Sequence, residues 1–180
     1  MDNTDLQRRV VELEVRLNRL EDIEAIRRLK CEHALASDDH PNLRARFMAI
    51  VTDDIELDYG PEFGRHVGRA KLNELLNDTP FSWTFHIMVP KRIDLADDGR
   101  SATGIWYMLE PAVAKDPQSG EPRAVWLGGV YTDTYRKQPD GRWLISRIQF
   151  DTKLMVPYDV GWSKAQIAPM STPRIWTELA

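Results

Sequence analysis

The chain has 180 residues, of which 42% are hydrophobic and 29% charged, and a net charge of −4: the composition of one ordinary globular domain. Acids and bases are mixed along it, so no basic block is present to release counterions from a phosphate backbone, which argues against nucleic acid as a partner. The single Cys31 excludes an internal disulfide framework, no apolar run approaches the ~20 residues that span a bilayer, and the charged N-terminus is unlike a signal peptide, so a cytoplasmic protein is expected.

Residues 4–21 carry Leu6, Val10, Leu13, Leu17 and Leu20 at alternating spacings of four and three, which is one stripe of a helix. Fewer than three heptads is short for a coiled coil. The expectation is a helical arm, residues 1–21, that packs on its own domain or on a neighbouring subunit. A second helix is predicted through DIEAIRRLKCEHALASD, with Asp22 as N-cap and Ile23, Ile26, Leu29, Cys31 and Ala34 facing inward. It should end near Asp38, because DDHPN joins poor helix formers to a turn-favouring proline. A short helix, NLRARFMAIV, follows.

The pattern then changes period. TDDIELDY alternates and reads as a strand, FGRHVG as a second short strand, and AKLNELLND as a helix with Leu72, Leu75 and Leu76 inward. Four longer strands are predicted in SWTFHIMVPKRIDL, SATGIWYMLEPAVA, AVWLGGVYTDTYRKQ and RWLISRIQFDTKLM, all rich in aromatic and β-branched residues. The joints ADDGR, KDPQSGEP and QPDGR are turn chemistry. Helices first, then an antiparallel meander, make an α+β layout: a cone-shaped curved antiparallel sheet wrapped around the N-terminal helices. This cone domain is expected over residues 22–156, with a pocket at its open mouth. An irregular tail, residues 157–180, should pack on the domain or on a neighbouring subunit through Trp162, Ile167, Ile175 and Trp176.

The ordered set IEAIRRLKCEHALASD, DIELDY, TFHIM, ATGIWYMLE and GGVYTDTYRKQPDGRWLIS resembles the SnoaL-like branch of the nuclear-transport-factor-2-like superfamily. That branch includes bile-acid dehydratases, scytalone dehydratase and the hexachlorocyclohexane dehydrochlorinase. The resemblance implies an α+β barrel, a homotrimer and cofactor-free lyase chemistry. It places the family's catalytic aspartate on Asp38 and its histidine on His86, and the polar group five residues before the aspartate on His33. A strand-end tyrosine falls on Tyr59, an acid of the bile-acid enzyme on Glu110, and an arginine of the dehydrochlorinase on Arg147. Glu110 is longer than the family's Asp, and His33 replaces a Tyr or Lys.

Read locally, Asp38 is a helix stop and His86, flanked by Phe85 and Ile87, is a core strand residue; the resemblance instead makes them a dyad. A carboxylate beside an imidazole fixes its tautomer and stabilises the imidazolium once a proton arrives, so the pair can take a proton from carbon. His33 and Tyr59 would polarise the substrate or protonate the leaving group; Glu110, Arg147, Trp106 and Met88 are the candidate substrate contacts. Asp39 and His40 are assigned to the turn. Six tryptophans, five tyrosines and five phenylalanines suit a flat, ring-bearing ligand. No metal or cofactor is required. The expected reaction is dehydration of a hydrophobic cyclic or aromatic alcohol. Loss of formaldehyde from a lignin-derived aromatic, isomerisation or cyclisation would use the same groups. A reading of another class is a non-catalytic ligand-binding module or the small subunit of a ring-hydroxylating dioxygenase. The separation of the Asp38 carboxylate and the His86 ring divides the two classes.

Overall fold

The computed structural model describes residues 2–60, 64–77, 79–116, 119–164 and 166–167. Helix α1 runs without interruption over Asn3–Asp38, 36 residues, about 54 Å at the usual rise. The arm and the second helix are thus one element. Between them the sequence RLEDIEAI contains neither Gly nor Pro, and its residues suit a helix. Asp22 is therefore not an N-cap. It sits mid-helix and accepts hydrogen bonds from the Trp143 indole at 2.8 Å and the Lys137 ammonium at 2.7 Å, pinning α1 to the sheet. The N-cap is Asp2, which accepts from the Thr4 N–H.

The inward face of α1 carries Ile26, Leu29, Lys30, His33 and Ala36. Their spacing is that of a single helical stripe. Cys31, expected inside, is exposed, since it lies about 100° around the helix from Lys30. The other half of the helix, Leu6 to Glu21, is exposed at every residue.

Helix α2, Leu43–Ile50, lies against α1 and buries Leu43, Phe47 and Ile50. Strand β1 covers Val51–Asp58, β2 covers Arg65–Val67, and helix α3, Arg69–Asn77, buries Leu72 and Leu75. The remaining strands are β3 (Phe81–Thr84), β4 (Ile87–Leu95), β5 (Ser101–Lys115), β6 (Pro122–Lys137) and β7 (Trp143–Pro157). The sheet order is β2-β1-β7-β6-β5-β3, with β4 also on β5. The turns between β4 and β5 and between β6 and β7 close at Gly99 and Gly141, both with positive φ.

Two features depart from a plain meander. First, β1 pairs parallel with β7, so the sheet is mixed. β1 enters from the helices rather than from a hairpin, and no tight turn fixes its direction. Second, the stretch expected to be one strand over residues 82–95 is two, β3 and β4, both antiparallel to β5. The break falls at Phe85 and His86. There the His86 N–H leaves the sheet ladder and bonds the Asp38 carboxylate at 2.9 Å.

The sheet curls around α1, α2 and α3. At the Gly128–Gly129 register shift between β6 and β7, a Cβ on Gly129 would meet the Asp151 carbonyl at 2.4 Å and the Phe150 ring at 2.6 Å. Only glycine allows the strands to close this tightly. The core joins the helices to the concave face through Ile26, Phe47, Ile55, Leu57, Ile145 and Ile148. In the tail, Ile167 bridges to Met155 and Trp162 packs edge-on against Trp126 at 5.7 Å; Ile175 and Trp176 lie outside the described residues.

Candidate active site

The mouth of the cone holds a cavity of about 490 Å³, within the range of small-molecule sites. Leu43, Phe47, Leu72, Leu75, Leu127 and Phe150 supply much of its apolar wall. His33, His40, Tyr59, Thr84, His86 and Glu110 are polar residues on the same lining.

Asp38 and His86 meet. The last residue of α1 places its Oδ1 2.6 Å from His86 Nδ1. The carboxylate also accepts from the His86 backbone N–H. The Thr84 hydroxyl lies 3.0 Å from Asp38 Oδ1 and 3.1 Å from the Ser37 carbonyl, and His40 Nε2 lies 3.2 Å from the same hydroxyl. Burial pushes the Asp38 carboxyl up, but the hydrogen bonds from the His86 ring, the His86 backbone and Thr84 outweigh it and hold Asp38 below the usual carboxylate range. An ionised Asp38 accepts the Nδ1 proton and leaves Nε2 toward the cavity.

Glu110, on β5, completes a row of three. Its Oε2 lies 3.2 Å from His86 Nε2. It is 3% exposed, and burial raises its pKa against the attraction of His86. Two carboxyl groups thus flank one imidazole, and the facing pair of His86 Nε2 and Glu110 shares a proton: two bare lone pairs at this distance would repel.

Behind the cavity lies a buried network. Lys30 Nζ donates to Asp133 at 2.7 Å, lies 3.1 Å from His33 Nδ1 and sits 3.7 Å above the Tyr131 ring. The Tyr135 hydroxyl donates to Asp133 and accepts from the Trp106 indole. Lys30 and Asp133 are 1% and 0% exposed. Burial lowers the pKa of Lys30 and raises that of Asp133, each opposed by the attraction of its partner. Because Lys30 donates to His33 Nδ1, the His33 proton resides on Nε2. Burial, then the nearby Lys30 and His86, hold His33 well below the ordinary imidazole value, so its ring is a neutral donor at neutral pH. Burial, with Asp133 and Glu110 nearby, raises the Tyr59 pKa, keeping the hydroxyl protonated.

Of the sequence-predicted residues, Asp38, His86, His33, Tyr59 and Glu110 are gathered at the cavity. Asp38 reaches the cavity only through the His86 ring it touches, and Arg147, Trp106 and Met88 are not on the lining. Arg147 pairs with Glu56 and Asp58 across β1 and β7 and is 40% exposed at its side chain. Trp106 is buried behind the cavity on Tyr135. Met88 is half-buried against the core. Sequence reasoning assigned His40 to the turn, yet it reaches back to Thr84. It also passed over Lys30 and Asp133. Lys30 lies three residues before His33 on the inward stripe, and that spacing was the available signal.

A SnoaL-like domain model matches residues 18–149. The chain belongs to the SnoaL-like family. No curated protein matches it in sequence. Among solved structures, this SnoaL-like chain is similar to a type 2 hexachlorocyclohexane dehydrochlorinase, with TM-score 0.68 and 22% identity over 78% of this chain and 91% of that one. It is also similar to the type 3 dehydrochlorinase of Novosphingobium barchaimii LL02, with TM-score 0.66 and 21% identity over 78% and 92%. A scytalone dehydratase-like protein of Novosphingobium aromaticivorans DSM 12444 gives TM-score 0.65 and 25% identity over 78% and 90%. These likenesses establish the α+β cone of the SnoaL-like family. No described helix is long and apolar enough to cross a membrane.

Proposed function

We propose that the chain is a cofactor-independent lyase that removes water from a hydrophobic cyclic or aromatic alcohol by β-elimination. The observation that carries this is the 2.6 Å contact between Asp38 and His86 beside a largely apolar cavity at the mouth of the cone. A binding module has no need of a carboxylate–imidazole–carboxyl row at the edge of its cavity. The dehydrochlorinase and scytalone dehydratase-like neighbours support a lyase over a passive subunit.

In the proposed reaction, His86 Nε2 takes the proton from the carbon next to the carbinol. Asp38 stabilises the imidazolium that forms. The C–O bond breaks and the departing hydroxyl takes a proton from Glu110, leaving as water. The proton on His86 Nε2 then passes to the Glu110 carboxylate, restoring both groups. Base and acid on the same side of the substrate fit a syn elimination. The neutral His33 Nε2–H and the Tyr59 hydroxyl donate to oxygen where negative charge develops. The hydrophobic lining favours a ring-bearing substrate, and the apolar rows Trp83, Phe85, Ile87 and Val89, left exposed on the sheet, support a homo-oligomer.

The test is to screen aromatic and steroid alcohols for binding and to follow products by mass. Loss of water from a bound alcohol supports the dehydratase. Loss of formaldehyde, or a product of unchanged mass, would move the same residues to carbon–carbon cleavage or isomerisation. Binding without turnover across the panel would favour the non-catalytic class.

A further inference from the structure

The exposed half of α1 has no role in the cavity. Its apolar stripe is open to solvent, with Leu6 43%, Val10 52%, Leu13 61%, Leu17 54% and Leu20 64% exposed. The stripe fits a heptad in which Val10 and Leu17 occupy a and Leu6, Leu13 and Leu20 occupy d. Val11 and Val15 fall at b and f, outside that seam.

The flanking charges select an occupant. In this register Arg9 and Arg16 are at g, and Gln7, Glu14 and Glu21 are at e. When two such helices run parallel and in register, g of one faces the following e of the other. Arg9 then meets Glu14 of the second copy, and Arg16 meets its Glu21. When they run antiparallel, g faces g and e faces e, so Arg opposes Arg and Glu opposes Glu. Charges at e and g set partner and orientation in coiled coils. The arm is therefore complementary to itself in one direction only.

We propose that residues 3–21 form a parallel, in-register coiled coil with a second copy of this chain. The arm extends about 27 Å, and this pairing sets both cone domains at its C-terminal end. A single short coiled coil is weak alone, so the arm acts together with whatever contacts the cone domains make.

The test uses the full chain with Cys31→Ser, carrying one new cysteine at a time. With Leu6→Cys, mild oxidation should link position 6 to position 6 of a second copy; Leu20→Cys should link 20 to 20. In an antiparallel pair, where a faces d, position 6 would instead lie near position 17, and linkage would require mixing the Leu6→Cys chain with a Leu17→Cys chain. Linkage only in the mixture, or in neither case, overturns the proposal. In a second arm, Arg9→Glu with Arg16→Glu on the Leu20→Cys chain should lower the yield of linked product at least tenfold. Mixing that chain with one bearing Glu14→Arg, Glu21→Arg and Leu20→Cys should restore it. A yield indifferent to these charges would also overturn the proposal. Every altered residue is exposed, so the circular dichroism and melting temperature of the cone should be unchanged.

Discussion

The Nε2 of His86 lies 3.2 Å from Oε2 of Glu110, while its Nδ1 lies 2.6 Å from Asp38. One imidazole therefore joins two carboxyl groups held in opposite directions. Asp38 is stabilised as a carboxylate by its hydrogen bonds, and Glu110 is raised by burial. In the proposed mechanism that asymmetry lets Asp38 support His86 as the base while Glu110 serves as the acid.

The His86→Ala variant should fold and lose turnover by roughly 10²–10⁴-fold, the contribution of a positioned general base. Steady-state kinetics on the first confirmed substrate, with circular dichroism as the folding control, reads this. Unchanged turnover in a folded His86→Ala protein would remove the base from the mechanism.

Asp38→Asn should keep the backbone bond to His86 and the contact with Thr84 but reverse the demand on Nδ1. The ring then adopts the wrong tautomer, and kcat should fall by about 10²–10⁴-fold with little change in KM. A variant that merely melts earlier, with kcat intact, would return Asp38 to the role of helix stop.

Glu110→Gln tests the acid. Glu110 acts in its protonated form, so activity should decline as pH rises through its raised pKa. Glutamine can still donate a hydrogen bond to Nε2 but cannot release a proton. The variant should lose about 10²-fold in kcat and lose the alkaline limb of its pH profile. If that limb survives in Glu110→Gln, another group is the acid.

Buried Lys30 and Asp133 make a stability prediction. Lys30→Met leaves Asp133 as an unpaired buried carboxylate and should cost about 3–5 kcal/mol in urea unfolding. Lys30→Met with Asp133→Asn should recover a large part of that loss, because the stranded charge is gone. Additive losses in the double variant would show that the two residues do not act as a pair.

His33 predicts a pH dependence of stability. Its folded-state value lies below its unfolded value of 6.5, so below about pH 6.5 the unfolded chain binds more protons than the folded one. The contribution is complete above that pH and is lost as pH falls toward the folded-state value. Urea unfolding of wild type and His33→Gln at about pH 7.5 and about pH 5.5 should show a smaller acid loss in the variant. Equal losses would mean that His33 does not titrate between the two states.

Local pattern made most of the framework legible. Period-four-and-three leucines announced α1, alternating apolar residues announced the strands, and Gly–Asp turns placed the joints, because each depends on a few neighbouring residues. The junction at Asp22 was misread because an acid before an apolar run looks like a cap, whereas uninterrupted helix formers carried the helix through it. The split at His86 was not legible either. It arises because a carboxylate 48 residues earlier competes for an N–H that a strand would otherwise use.

The sequence by itself determined the α+β order and the helical arm, since composition and periodicity are local properties, while the acid–base residues Asp38 and His86 were singled out only by the family resemblance. The tertiary structure alone decided which residues share an environment. It brought Glu110 onto His86, set Lys30 behind His33 and carried Arg147 away to an ion pair with Glu56 and Asp58. The physical reason is that protonation state follows from burial and from neighbours in space, and strand register together with sheet curvature chooses those neighbours.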